Sequence, residues 1–168
     1  MEKPILSADD AARLIEDGRT VAIGGSGAGH AIPDLLLRAL GRRFAKTGRP
    51  RDLTLLHAFG VGNQKDRGLQ HMAFAGMYRR VIGGHWSMAP AMAQLAAENA
   101  FEAYCLPAGV MVQLFHAAAA GSPGWLTRVG LHTFVDPRLE GGKLNARARE
   151  DLVELVHRDG KEYLFYRT

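Results

Sequence analysis

Between Thr20 and Pro33 a short β-branched and apolar stretch, Thr20-Val21-Ala22-Ile23, passes into Gly24-Gly25-Ser26-Gly27-Ala28-Gly29-His30. Four glycines among six residues make a backbone that a ligand can approach closely. Pro33 suits the first turn of a following helix, whose free amides carry a partial positive charge. The guest that suits such a loop is an anion or a developing oxyanion, so Gly24, Gly25, Ser26, Gly27, Gly29 and His30 form the first candidate binding set. The spacing departs from the G-x-G-x-x-G of dinucleotide sites, because His30 stands where the third glycine belongs after Gly25 and Gly27. A plain strand-to-helix turn accounts for the same glycines.

Two further places carry the same punctuation. Gly60-Val61-Gly62-Asn63-Gln64-Lys65-Asp66-Arg67-Gly68 is polar and glycine-rich directly after an apolar run, where α/β proteins place binding loops. The pair Gly83-Gly84 closes another apolar run and is followed at once by His85 and Trp86. Other chemistries find little support. The histidines at 30, 57, 71, 85, 116, 132 and 157 show no i, i+3 or i, i+4 pairing and no cysteine neighbour, so no metal set is expected. Cys105, between Tyr104 and Leu106, reads as a buried strand thiol rather than a nucleophile. Gly25-Ser26-Gly27 lacks the spacing of a G-x-S-x-G elbow, and nothing pairs Glu98 with Glu102 as an acid and a base.

The elements that must hold these loops follow from periodicity. Ser7 with Asp10 resembles a capping box before Ala11, Leu14 and Ile15, with a stop at Asp17-Gly18. Leu35, Leu36, Leu37, Leu40 and Phe44 mark an amphipathic helix ending near Gly48. A strand over 53–59, a short helix over 69–76 and a strand over 79–82 come next. Ser87 is placed to cap a helix with Pro90 near its start, running to about Asn99. A fourth strand covers 101–106, the turn Pro107-Ala108-Gly109 follows, and an apolar helix covers 110–120. Beyond Gly121 the helical period vanishes into ordered loop with short strands. Asp159-Gly160 then centres a hairpin between 152–157 and 162–167.

Repeated strand, glycine loop and helix predict an α/β fold: an open, mostly parallel sheet with helices on both faces, ending in a C-terminal β-hairpin. The 168 residues suit a single domain, 1–168. With 47% hydrophobic and 23% charged residues the composition is that of a globular chain. A lone cysteine and a start without signal-peptide character fit the cytoplasm. The apolar region 104–121 is broken by Pro107, Gly109, Gln113 and His116, so no membrane association is expected. A net charge of +4 helps to steer a phosphorylated ligand but falls short of a nucleic-acid footprint. The basic cluster of Arg38, Arg42, Arg43, Lys46, Arg49 and Arg51 reads as a solvated helix end. The aromatic terminal run Tyr163-Leu164-Phe165-Tyr166 reads as an exposed edge strand, which implies further protein to cover it, in this chain or a partner.

Taken in order, the glycine loop, Lys65-Asp66-Arg67-Gly68-Leu69, Val81-Ile82-Gly83-Gly84-His85-Trp86, Leu106-Pro107-Ala108-Gly109-Val110, Thr133-Phe134-Val135-Asp136-Pro137-Arg138 and Glu140-Gly141-Gly142-Lys143-Leu144-Asn145 resemble family I coenzyme A transferases over nearly the whole chain. The acetate/propionate CoA-transferase group is the nearest likeness. The resemblance implies transfer of CoA from an acyl-CoA to a small carboxylic acid through a glutamyl-CoA thioester, in short-chain acyl-CoA metabolism. Coenzyme A is then a co-substrate, with no tightly bound cofactor. The family's nucleophilic glutamate lies in its C-terminal half, and none of the glutamates at 2, 16, 98, 102, 140, 150, 154 or 162 matches its motif. The resemblance therefore implies an N-terminal portion, inactive by itself, that works in a homo-oligomer or with a missing C-terminal half.

Two departures stand out. Ser26 replaces the family's usual phenylalanine, with one extra residue before Pro33, and Ala108 stands where many members carry a glutamine whose amide helps to form an oxyanion hole. The resemblance adds Ala108 and Gly109 to the candidate oxyanion and substrate set, with no catalytic residue assigned. A non-catalytic binding or assembly module, or a degenerate paralogue paired with a separate catalytic subunit, is the alternative. A nicotinamide protein is disfavoured, because Phe59 occupies the place of the ribose-binding acid at the end of the second strand.

Overall fold

Four strands, β1 (Thr20–Ile23), β2 (Leu53–His57), β3 (Tyr78–Gly83) and β4 (Glu102–Cys105), pair in the order β1-β2-β3-β4, each neighbour parallel. The structure is a computed structural model and describes residues 4–26 and 30–168. Parallel neighbours need crossovers, and these are α2 (Asp34–Thr47), a 3-10 turn (Leu69–Met72) and α3 (Pro90–Ala97), preceded by α1 (Ala8–Arg13). Side chains alternate between the faces of the sheet, which separates two cores. Leu53, Leu55, Val81 and Ala103 pack with Leu37 and Leu40 of α2 and Met92 of α3. Tyr104 and Leu106 pack with Val110, Met111 and Leu114 of α4 (Ala108–Ala119) on the other side. Each fully buried leucine contributes about 1.5–3 kcal/mol, so this alternation is what orients the strand ends. The expected α/β architecture with helices on both faces is found.

Capping details set the helix limits. Asp10 N donates to Ser7 Oγ at 3.1 Å, as the capping box predicts, but α1 stops at Arg13, short of Asp17. The Arg43 guanidinium donates to the carbonyls of Ala12 (2.6 Å) and Ile15 (2.7 Å), ending the helix from outside. With Arg42 paired to Asp9 at 2.8 Å, part of the basic cluster proves to be the tie between α1 and α2. Gly48 ends α2 in the left-handed region, at φ 65°. The helix expected over 69–76 shrinks to the 3-10 turn. Ser87 does not cap α3, whose cap position is Ala89; it hydrogen-bonds His85 instead.

The C-terminal part corrects one expectation. β5 (Gly124–Thr127), β6 (Val153–Arg158) and β7 (Lys161–Arg167) form an antiparallel sheet in the order β5-β7-β6. The hairpin across Asp159-Gly160 is as predicted, yet its aromatic strand is central rather than an edge, and Leu164 and Tyr166 are fully buried. Tyr166 Oη donates to the Val129 carbonyl at 2.8 Å. The segment between β5 and β6 covers the outer edge of β4, with Cys105 N donating to Gly142 O (2.8 Å) and Leu144 N to Ala103 O (2.9 Å). Asp136 organises that segment. Its buried carboxylate accepts from His132 N (2.9 Å), Arg138 N (3.1 Å) and the Arg138 guanidinium (2.7 Å), and Arg138 holds it well below the usual carboxylate range. Among the described residues no helix is long and apolar enough to cross a membrane.

Candidate functional site

Parallel strands bring their carboxyl ends to one side, and here four strand exits meet around a cavity of about 360 Å³. Ser26 comes from the exit of β1, Phe59 and Gly60 from β2, Gly84, His85 and Met88 from β3, and Ala108 from beyond β4. Close approach dictates two of these residue types. A Cβ on Gly84 would collide with the Ala58 carbonyl and sit 3.0 Å from Ala108 Cα; one on Gly60 would lie 2.5 Å from Met88 Cγ and 2.7 Å from the His85 ring. Glycine at these positions lets three strand exits close on one another.

The first candidate set divides. Ser26 lines the cavity. Gly25 makes the turn behind it: its φ is 113°, a Cβ there would strike the Ala31 carbonyl, and Ser26 N donates to that same oxygen at 3.2 Å. Gly24 follows the end of β1 and His30 sits in an exposed turn; neither lines the cavity. Gly27 and Gly29 lie outside the described residues. Ala108 lines the cavity at the start of α4, while Gly109 is exposed in the first turn beside it. Pro107, at the cap position, provides no side-chain acceptor, so the first amides of α4 remain available beside Ala108.

One bond ties the second glycine loop to the start of α2. Asp34, the first residue of α2, accepts from Gly68 N at 2.7 Å and lies 3.2 Å from His71 Nε2. Asn63 Oδ1 accepts from the amides of Lys65, Asp66 and Arg67, each at 3.0 Å, so the loop is braced from within. Phe59, Gly60, Gly84, His85 and Met88 are the lining residues that the candidate set missed. His85 stood in a motif already singled out, and its place after Gly83-Gly84 was the available signal. Its Nε2 shares a 2.8 Å hydrogen bond with Ser87 Oγ.

Beneath the cavity floor lies His57, the last residue of β2 and 1% exposed. Its Nδ1 is 3.0 Å from the Phe59 carbonyl, its own carbonyl accepts from Gly84 N at 2.9 Å, and its ring meets Trp86 edge-on with centroids 5.7 Å apart. Burial pushes the imidazole below its ordinary value of 6.5. Cys105 is half-buried at the end of β4 rather than in a strand interior, and burial pushes its thiol up, against a nucleophilic role. Among the described residues no carboxylate lines the cavity: Glu102 and Glu150 pair with Arg80, and Glu162 with Arg138.

The family model described as Coenzyme A transferase matches residues 5–168. Acetate CoA-transferase YdiF of Escherichia coli (strain K12) is 41% identical over 165 residues, which are 98% of this chain and 31% of that protein. Caffeate CoA-transferase of Acetobacterium woodii is 42% identical over 163 residues, 97% of this chain and 31% of that protein. Among solved structures, the acyl-CoA transferase YdiF of E. coli O157:H7, described as a thioester complex with CoA, superposes with a TM-score of 0.95 at 41% identity, covering 98% of this chain and 32% of that one. The chain thus spans about a third of the length of these relatives.

Proposed function

Because the chain belongs to the coenzyme A transferase family, we propose that residues 1–168 form one N-terminal unit that supplies the acyl and oxyanion side of a site moving CoA between an acyl-CoA and a small carboxylic acid. The observation that carries this reading is the cavity where Ser26, Gly60, Gly84 and Ala108 converge at the start of α4.

The chemistry fits what this wall offers. A carboxylate nucleophile attacks the thioester carbonyl, the carbonyl electrons move onto oxygen, and the C–S bond then breaks to leave an acyl anhydride and CoA thiolate. The thiolate next attacks the nucleophile's own acyl carbon, giving an enzyme thioester and the free carboxylate. An incoming carboxylate reverses both steps. No net proton is transferred, so the wall needs hydrogen-bond donors for the transient oxyanion more than it needs acids or bases. The first amides of α4 and the glycine backbone are such donors, and the surrounding Phe59 and Met88 make an apolar seat for a short acyl chain. The nucleophilic glutamate belongs, on the family resemblance, to residues other than these 168. The partners are accordingly an acyl-CoA, a small carboxylic acid and the polypeptide that carries that glutamate. Coenzyme A serves as co-substrate.

Intact-mass measurement after incubation with acetyl-CoA tests the assignment. The 168-residue chain is expected to gain no adduct, while the full gene product gains a CoA thioester on glutamate. A CoA thioester on any glutamate of the isolated chain overturns it. Ala108 favours one other reading, a paralogue that binds acyl-CoA without transfer, since its methyl donates no hydrogen bond. In that case the full gene product binds acetyl-CoA but gains no adduct.

A further inference from the structure

The reaction outlined above gives no task to the buried His57. We propose that His57 is a positioning residue of the transfer site: it turns the Phe59–Gly60 peptide so that the Gly60 N–H faces the cavity as an oxyanion donor, in place of the side-chain amide that Ala108 lacks.

The geometry runs from one hydrogen bond. A carbonyl oxygen only accepts, so the 3.0 Å contact between His57 Nδ1 and Phe59 O requires the proton on Nδ1. That bond draws the Phe59 carbonyl inward, toward a side chain that is 1% exposed. The Phe59–Gly60 peptide is trans, since the one cis bond among the described residues joins Arg49 and Pro50. In a planar trans peptide the C=O and the next N–H point in opposite directions. The Gly60 N–H therefore points away from His57, and Gly60 borders the cavity. Gly60 N donates to no acceptor among the described residues. The His57 carbonyl, by accepting from Gly84 N at 2.9 Å, holds the opposing wall to the same residue.

The rest of the imidazole's surroundings are close-packed and offer it no second hydrogen bond. Nε2 has no partner among the described residues, and neither has Trp86 Nε1. Both nitrogens bear on Gly83, where a Cβ would fall inside contact distance of the imidazole and 3.0 Å from the indole nitrogen. Among the described residues, the other titratable side chain that bears on the imidazole is His85, which adds to burial in disfavouring a charge on His57. The Phe59 carbonyl places the proton on Nδ1, and burial against Gly83 and Trp86 keeps the ring neutral.

This inference rests on the transferase reading, and its test separates the two. In the full gene product, kcat and KM for acetyl-CoA and a carboxylate acceptor are measured for wild type, His57→Phe and His57→Asn. Phenylalanine fills the space without a donor, whereas asparagine carries an N–H close to the place of Nδ1. His57→Phe is expected to lower kcat about a hundredfold, the scale of one lost oxyanion donor, with KM nearly unchanged. His57→Asn is expected to recover most of that loss. A folded His57→Phe with wild-type kcat overturns the proposal, as does an Asn variant as slow as the Phe variant. A wild type that transfers no CoA overturns the transferase reading instead.

Discussion

The imidazole of His57 and the α-carbon of Gly83, at the ends of neighbouring parallel strands, lie so close that position 83 has no room for a side chain. Gly83→Ala is therefore expected to destabilise the chain by about 1–3 kcal/mol, the usual cost of forcing a methyl into a packed site. Urea unfolding of the two proteins checks this. Equal midpoints would show that the imidazole swings aside freely.

The neutral His57 also makes stability depend on pH. Its folded pKa lies below the ordinary 6.5, so above that pH both states are uncharged and the residue contributes nothing to the slope. As pH falls through about 6.5 the unfolded chain takes up a proton that the folded chain refuses, and stability declines. Thermal unfolding between about pH 7.5 and pH 5 is expected to show this fall. His57→Phe is expected to flatten it. An unchanged slope in the variant would assign the fall to other groups.

Ala108 offers a gain-of-function measurement. Ala108→Gln in the full gene product places an amide donor at the start of α4, beside Gly84. Where backbone donors alone limit the rate, kcat rises by up to about a hundredfold. A flat or lowered kcat would mean that the cavity wall already satisfies the oxyanion.

Asp136 is expected to matter for folding and not for transfer. Asp136→Asn keeps the shape but removes the charge that receives Arg138 and the amides of His132 and Arg138. Losing charge-assisted hydrogen bonds at this buried carboxylate costs about 2 kcal/mol. The depressed carboxyl gives its full stabilisation above the ordinary 3.8 and loses it progressively as pH falls from there through its much lower folded value. Urea titrations of both proteins at pH 7 and pH 3 should therefore differ most at pH 7, with the gap narrowed but not closed at pH 3.

Much of this was legible in the residues because the signals were local. The β-branched runs that stop at glycine, the capping Ser7 and the left-handed Gly48 each specify a few neighbouring dihedrals, and the structure has them. The errors arose where a residue had two possible partners. Ser87 looked like a cap because it preceded Pro90, but the hydroxyl was captured by His85, two residues back. The terminal aromatic strand looked like an edge because sequence order says nothing of where a strand enters its sheet; β5, far back in the chain, pairs with its second side.

For the site, the sequence alone determined which segments carry glycine and roughly where the strands give way to loops. These follow from single-residue backbone preferences and from spacing. Only the tertiary structure decided that Ser26 and Ala108 share one cavity while Gly24, His30 and Gly109 stand outside its lining, and that His57, read at first as one unpaired histidine among seven, lies beneath its floor. The physical reason is that parallel pairing gathers strand exits that are distant in sequence. Which side chains then meet depends on register and on close approaches such as that of Gly84 to Ala108, and these exist only once the sheet is packed.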